Sequence, residues 1–178
     1  MSGHSKWSTI KHKKALTDAK RSKVFSKIAS VVTIAARTGS DPAKNPTLRT
    51  AIEKAREVNM PKENIDRAIK RGTGETPGKQ LEEITYGAFG PGGVAILITT
   101  ITDNKNRTLG EIKQILSEHN AKFAEFSSIQ WMFRREGADY IPNSPIKVED
   151  VEVKKQLTKL YEALDEQNDT NEIYSNEE

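Results

Sequence analysis

Cysteine is absent from the 178-residue chain. That excludes a disulfide framework, a thiolate metal site and a cysteine nucleophile together. Aromatic residues are few, at 6%. No long hydrophobic run is present either: the longest apolar stretch, Val94 to Ile101, contains two threonines and is far too short to cross a bilayer. The opening MSGHSKWSTIKHKKA has no apolar segment of the kind a secretory signal needs. These absences predict a soluble, cytoplasmic protein. Hydrophobic residues are 35% and charged residues 30% of the chain. Because Ile, Leu and Val recur periodically, this composition predicts a folded protein, long enough to bury a core.

Acid is scarce in one half only. Residues 1–80 hold 18 Lys+Arg against 7 Asp+Glu, whereas residues 81–178 hold 10 against 18. The net charge of +3 therefore conceals halves of +11 and −8. A cationic field gathered on one region suits a polyanion partner, and the acidic half is a candidate surface for a protein partner.

Residues 1–16 are rich in Lys and His and hold only Trp7, Ile10 and Leu16 as large apolar side chains, which predicts an arm loosely ordered when free. Val24, Ile28, Val31 and Ala35, widened by Phe25 and Val32, then follow helical spacing, with Gly39 as the stop. Asn45-Pro46 marks a helix start, Asn as cap and Pro in the first turn. Leu48, Ile52, Ala55 and Val58 form its buried stripe. A third helix runs from about Pro61 to Gly72 over Ile65, Ala68 and Ile69. Three short helices with short turns predict a small bundle.

The Gly-, Thr- and Pro-rich residues 72–80 form the boundary. Beyond them the period changes to two. Ile84, Tyr86 and Ala88 alternate, Gly90-Pro91-Gly92-Gly93 turns the chain, and Val94–Thr102 returns as a buried strand. A polar loop at Asp103–Asn106, a helix over Thr108–His119 and a strand over Ser127–Arg134 follow. Then come a loop with Pro142 and Pro145, an acidic helix through Val153–Leu164, a short strand at Glu172–Tyr174 and a frayed tail. The expected class is α+β: a basic arm (1–20), a three-helix bundle (21–75) and a small antiparallel-sheet domain (76–178).

The arm carries the strongest functional signal. Lys6, Lys11, Lys13, Lys14, Lys20, Arg21, Lys23 and Lys27 face a single acid, Asp18, within 27 residues. Such density is stabilised by phosphates at regular spacing. Trp7 offers a surface that stacks on a base or, equally, a plug that anchors the arm on the bundle. Arg49, Arg56, Arg67, Lys70 and Arg71 extend the positive surface. Arg107, before a helix, suits a phosphate or carboxylate, although a plain cap with Asn106 or Thr108 as acceptor is the simpler account. The glycine cluster lacks the Gly-Lys-Ser/Thr of a phosphate loop. No triad or carboxylate pair stands out, and no catalysis, cofactor or metal is expected.

Several segments together resemble the YebC/PmpR family of regulatory proteins, which includes the mitochondrial translational activator of cytochrome c oxidase. They are Gly3-His4-Ser5-Lys6-Trp7, Ile10-Lys11-His12-Lys13-Lys14, Asp41-Pro42, Asn45-Pro46, Leu48-Arg49, Ala51-Ile52, Asn59-Met60 and Arg67-Ala68-Ile69. The match resumes at Tyr86-Gly87, Gly90-Pro91-Gly92-Gly93 and Asp103–Thr108. The resemblance implies a helical first domain and two α+β domains. After Gly137 this chain passes almost directly to a segment, residues 138–178, that looks like the family's last, so the third domain is absent. The resemblance also implies a non-enzymatic, DNA-binding transcriptional regulator, with a ribosome- or RNA-binding translation factor as the alternative. The candidate nucleic-acid contacts are His4, Lys6, Trp7, Lys11, His12, Lys13, Lys14, Lys20, Arg21, Lys23, Lys27 and Arg107.

Overall fold

A computed structural model describes residues 6–7 and 17–178. They divide into a helical unit that ends at Leu81 and an α/β unit made of Lys6–Trp7 with Glu82–Glu178. Among the described residues no helix is long and apolar enough to cross a membrane.

In the helical unit α1 (Asp18–Ala36) starts at Thr17, whose hydroxyl accepts from the Lys20 amide at 3.4 Å. Its buried face holds Val24, Ile28, Val32, Ala35 and Ala36. The turn that follows is organised by Asn45. Its side-chain oxygen accepts from the Leu48 amide at 3.0 Å and caps α2 (Pro46–Glu57), with Pro46 in the first turn. Its amide nitrogen reaches back to the Ala35 and Gly39 carbonyls at 2.7 and 2.8 Å. The expected second helix start is therefore correct, and its cap also holds the end of the first. Helix α3 (Lys62–Gly72) packs against α1 through Ile65 and Ala68. Its last residue has to be small: a Cβ on Gly72 would lie 2.3 Å from the Thr33 carbonyl oxygen and 2.7 Å from the Ala36 Cβ.

The α/β unit is a sheet in the order β1-β7-β3-β2-β4, antiparallel throughout. Its strands are β1 (Lys6–Trp7), β2 (Glu82–Phe89), β3 (Ala95–Thr102), β4 (Lys122–Ala124) and β7 (Thr170–Ser175). The β2–β3 turn places Gly92 and Gly93 at φ +71° and +74°, a region open to glycine. Strand β3 is covered on both faces, as its unbroken apolar run requires. Ile96 and Ile98 pack on one side with α4 (Lys105–Glu118) and α6 (Val151–Glu166), through Ile112, Leu116, Leu157, Leu160 and Leu164. Ala95 and Leu97 pack on the other with Ile129, Phe133 and Tyr174. The short helix α5 (Phe126–Ile129) and the hairpin β5 (Phe133–Glu136) to β6 (Asp139–Pro142) supply that second layer.

The α+β class holds, and four local expectations do not. The expected loop with Pro142 is instead a strand, because Asp139–Pro142 forms β6 against β5. Residues 127–134 are not one strand: α5 and a 3-10 turn (Gln130–Met132) precede β5. The Ser128 hydroxyl donates to the Glu125 carbonyl at 2.7 Å and the Trp131 indole N–H to the Ser128 carbonyl at 2.9 Å. Such local bonds compete with a strand ladder. The buried pair here, Ile129 and Phe133, has helical spacing. Helix α4 begins three residues earlier than expected, with Asn104 as its cap, accepting from the Arg107 amide at 3.1 Å. The carboxyl-terminal tail is not frayed either. Asn176 is buried and exchanges hydrogen bonds with Ala95, and the Glu178 amide donates to the Ile146 carbonyl.

Candidate nucleic-acid interface

The described helical residues 17–81 hold 14 Lys+Arg against 7 Asp+Glu, whereas residues 82–178 hold 10 against 18. The helices place the basic side chains unequally. Lys20 and Arg21 are exposed on the first turns of α1. Arg21 lies 3.5 Å from Asp18, but both side chains are largely solvated, so the pair holds the guanidinium weakly. Lys23 is half-buried. Lys27 is 8% exposed and so falls on the core side of α1, in contrast to its expected place on a binding surface. Lys27 stands three positions after Val24 and four before Val31, at the edge of the buried arc. His4, Lys11, His12, Lys13 and Lys14 lie outside the described residues, as does the side chain of Lys6.

Trp7 is held by the sheet. Its strand pairs with β7, opposite Ile173, and its ring sits 5.6 Å from that of Tyr161 while packing on the core under α6. It is neither an exposed stacking surface nor a plug in the bundle. It anchors β1 on the α/β unit.

Arg107 is likewise committed. It donates to Asp169 at 2.8 Å, to Asp103 at 3.1 Å and to the Thr102 hydroxyl at 3.4 Å. The hydrogen bond to Asp169 is the main reason its pKa rises above the ordinary arginine value. Asp169 also accepts from the Thr108 hydroxyl at 2.6 Å. In place of an open phosphate contact, Arg107 ties the start of α4 to the segment that leads into β7. Arg107→Ala should therefore lower the denaturation midpoint of the α/β unit, followed by tryptophan fluorescence. The change would be about 1 kcal/mol, since half-exposed ion pairs contribute modestly. Weakened nucleic-acid binding at unchanged stability would restore Arg107 to the interface.

The geometry adds residues that the motif reading passed over. A cleft of about 270 Å³ runs between α1 and α3. On the α1 side it is lined by Ser22, Phe25 and Ser26, and on the α3 side by Asn64, Arg67 and Arg71. Met60, Ala29 and Ala68 close it underneath. Arg71 donates to the Lys79 carbonyl at 3.2 Å, which leaves other guanidinium donors for the cleft. Arg67 is exposed and, among the described residues, has no ion pair. The signal for Ser22 and Ser26 was available: they fall four apart, in line with Ala29 and Thr33, beside the apolar stripe. Phe25 widens that stripe and lines the cleft as well. No group of three or more His, Asp or Glu is placed to hold a metal ion among the described residues.

Comparison with known proteins gives a consistent picture. The description "TACO1/YebC protein N-terminal domain" matches residues 5–75, and "TACO1/YebC second and third domain" matches residues 81–138. The second match stops in the β5–β6 turn. A "Probable transcriptional regulatory protein" of Dictyoglomus turgidum is 48% identical over the whole of this chain and 72% of its own length. One of Petrotoga mobilis with the same description is 49% identical over 97% of this chain and 69% of its own. Both are longer than this chain. A crystal structure of a conserved hypothetical protein from Aquifex aeolicus superposes with a TM-score of 0.85 at 31% identity, over 97% of this chain and 96% of that one.

Proposed function

Because the chain belongs to the TACO1/YebC family, we propose that it is a non-catalytic regulator of gene expression that binds DNA along the phosphate backbone through its basic amino-terminal half. The description shared by its relatives, "Probable transcriptional regulatory protein", supports the regulatory part. The observation that carries the binding part is the separation of charge between the two units, +7 for residues 17–81 and −8 for residues 82–178. Lys20, Arg67 and Lys70 are exposed on α1 and α3 and, among the described residues, form no ion pair. Their charge is available to neutralise phosphates, together with that of Lys11, Lys13 and Lys14. The acidic unit is repelled by the same polyanion and is the side on which a protein partner would dock.

Binding of this kind proceeds by release of counterions, so it has a measurable signature. With about six phosphates neutralised, affinity for a duplex falls about 10³-fold between 50 and 200 mM salt. Changing Lys11, Lys13 and Lys14 together to Ala should weaken all sequences alike and reduce the salt slope by about three. Titration by fluorescence anisotropy at several salt concentrations checks both. A wild-type affinity that does not respond to salt would overturn the reading, and recovery of RNA in place of DNA by crosslinking in cells would move it to translation.

A further inference from the structure

The cleft between α1 and α3 has a shape and chemistry that backbone binding does not use. Lys20 and Lys70 on the outer surface suffice for phosphates in a row. They do not call for an aromatic ring and three short polar side chains set into a depression. Phe25 lines the cleft while also packing against the bundle core, so the ring is fixed in place. Ser22, Ser26 and Asn64 bring hydrogen-bonding groups to the same walls, and Arg67 and Arg71 bring positive charge. Ser22 and Ser26 are exposed, and Asn64 and Phe25 half-buried.

The volume narrows the choice of occupant. Pockets for drug-sized ligands begin at roughly 300 Å³, and this cleft holds about 270 Å³. It has room for one planar heterocycle with its attached phosphate outside. A base in a duplex is sandwiched by neighbours and cannot enter, whereas an unpaired base is free to leave the stack and lie against an aromatic face.

We infer that the cleft between α1 and α3 takes one unpaired nucleotide of a single strand, its base against Phe25 and its phosphate on Arg67 and Arg71. This deepens the proposed function and rests on it. The unpaired nucleotide has the same chemistry whether DNA or RNA supplies it, and the two polymers form separate arms of the test.

The experiment measures binding of the full chain to twelve-nucleotide single strands of DNA and of RNA, and to the corresponding duplexes, across a range of salt. Phe25→Leu keeps an apolar side chain against the core and removes the ring, so it separates stacking from folding. It should weaken single-strand binding about tenfold with the salt slope unchanged, because stacking on an aromatic ring carries no counterion release. Phe25→Tyr should restore it, and duplex binding should be unaffected by either change. Arg67→Ala with Arg71→Ala should instead reduce the salt slope for single strands. The arm that binds more tightly identifies the polymer. Wild-type affinity in Phe25→Leu, or an equal loss on duplexes, would overturn the inference while leaving salt-dependent backbone binding in place. Failure of the wild-type protein to bind any strand at low salt would overturn the proposed function itself.

Discussion

Replacing Asn45 with Ala will destabilise the helical bundle by about 3 kcal/mol, far more than an ordinary capping change of about 1 kcal/mol. The residue is 6% exposed and its amide joins three segments. It caps α2 by accepting from the Leu48 amide, holds the turn by donating to the Gly39 carbonyl, and closes the last turn of α1 by donating to the Ala35 carbonyl. Alanine would leave buried carbonyls and an amide without these partners, and each such group costs about 1–3 kcal/mol. Asn45→Asp separates the contributions, since it retains the cap acceptor and loses both donations while introducing a buried charge. It should be at least as damaging. Both tryptophans, Trp7 and Trp131, belong to the α/β unit. Circular dichroism should therefore record an early loss of helix at denaturant concentrations where tryptophan fluorescence still reports an intact sheet. Equal shifts in both signals would mean that the loss is not confined to the bundle.

The second large effect has opposing contributions, and its sign is diagnostic. Gly72→Ala would ordinarily stabilise a helix by up to about 1 kcal/mol, through propensity and a less free unfolded chain. Here the added methyl meets the Thr33 carbonyl oxygen at 2.3 Å. That atom is backbone and cannot rotate away, so α1 and α3 have to separate. Overpacking of this kind costs about 1–3 kcal/mol, and the clash should prevail, giving a net loss of about 2 kcal/mol. For a unit of this size each kcal/mol corresponds to about 4–8 °C in Tm. Thermal unfolding that moved upward in Gly72→Ala would show that the helices are not held at this distance. Separation of α1 from α3 would also widen the cleft, so the same variant should lose single-strand binding.

How far the sequence disclosed this molecule depended on whether a signal was local. Asn45-Pro46 is legible because cap and first-turn proline act within four residues. The β2–β3 hairpin is legible because Gly92 and Gly93 sit between two alternating runs. The segment around Trp131 was not, since Ser128 and the indole N–H satisfy the backbone locally and the apolar letters Ile129, Trp131 and Phe133 imitate alternation. Trp131 is in fact 71% exposed. At the candidate site, charge density pointed to the basic half but not to which side chains face outward. Lys20 and Lys27 are seven positions apart on one face of α1, yet Lys20 is exposed on the first turn and Lys27 is buried two turns on. Arg107 looked available because Asp169, which holds it, is 62 positions away in the chain. The cleft is formed by two helices that are not consecutive, so no stretch of sequence contains it.

Strand β1 pairs with β7, joining residues near opposite ends of the chain. Contacts of that separation are slow to form, because nearly the whole polypeptide has to be ordered between them. During synthesis the bundle has all of its residues once Leu81 is made, and β2, β3 and β4 soon after. The place between β3 and β1 then stays vacant until β7 emerges. Only when Ile173 and Tyr174 have been added does Lys6–Trp7 acquire a neighbour, so a strand that precedes the bundle in the sequence settles after it.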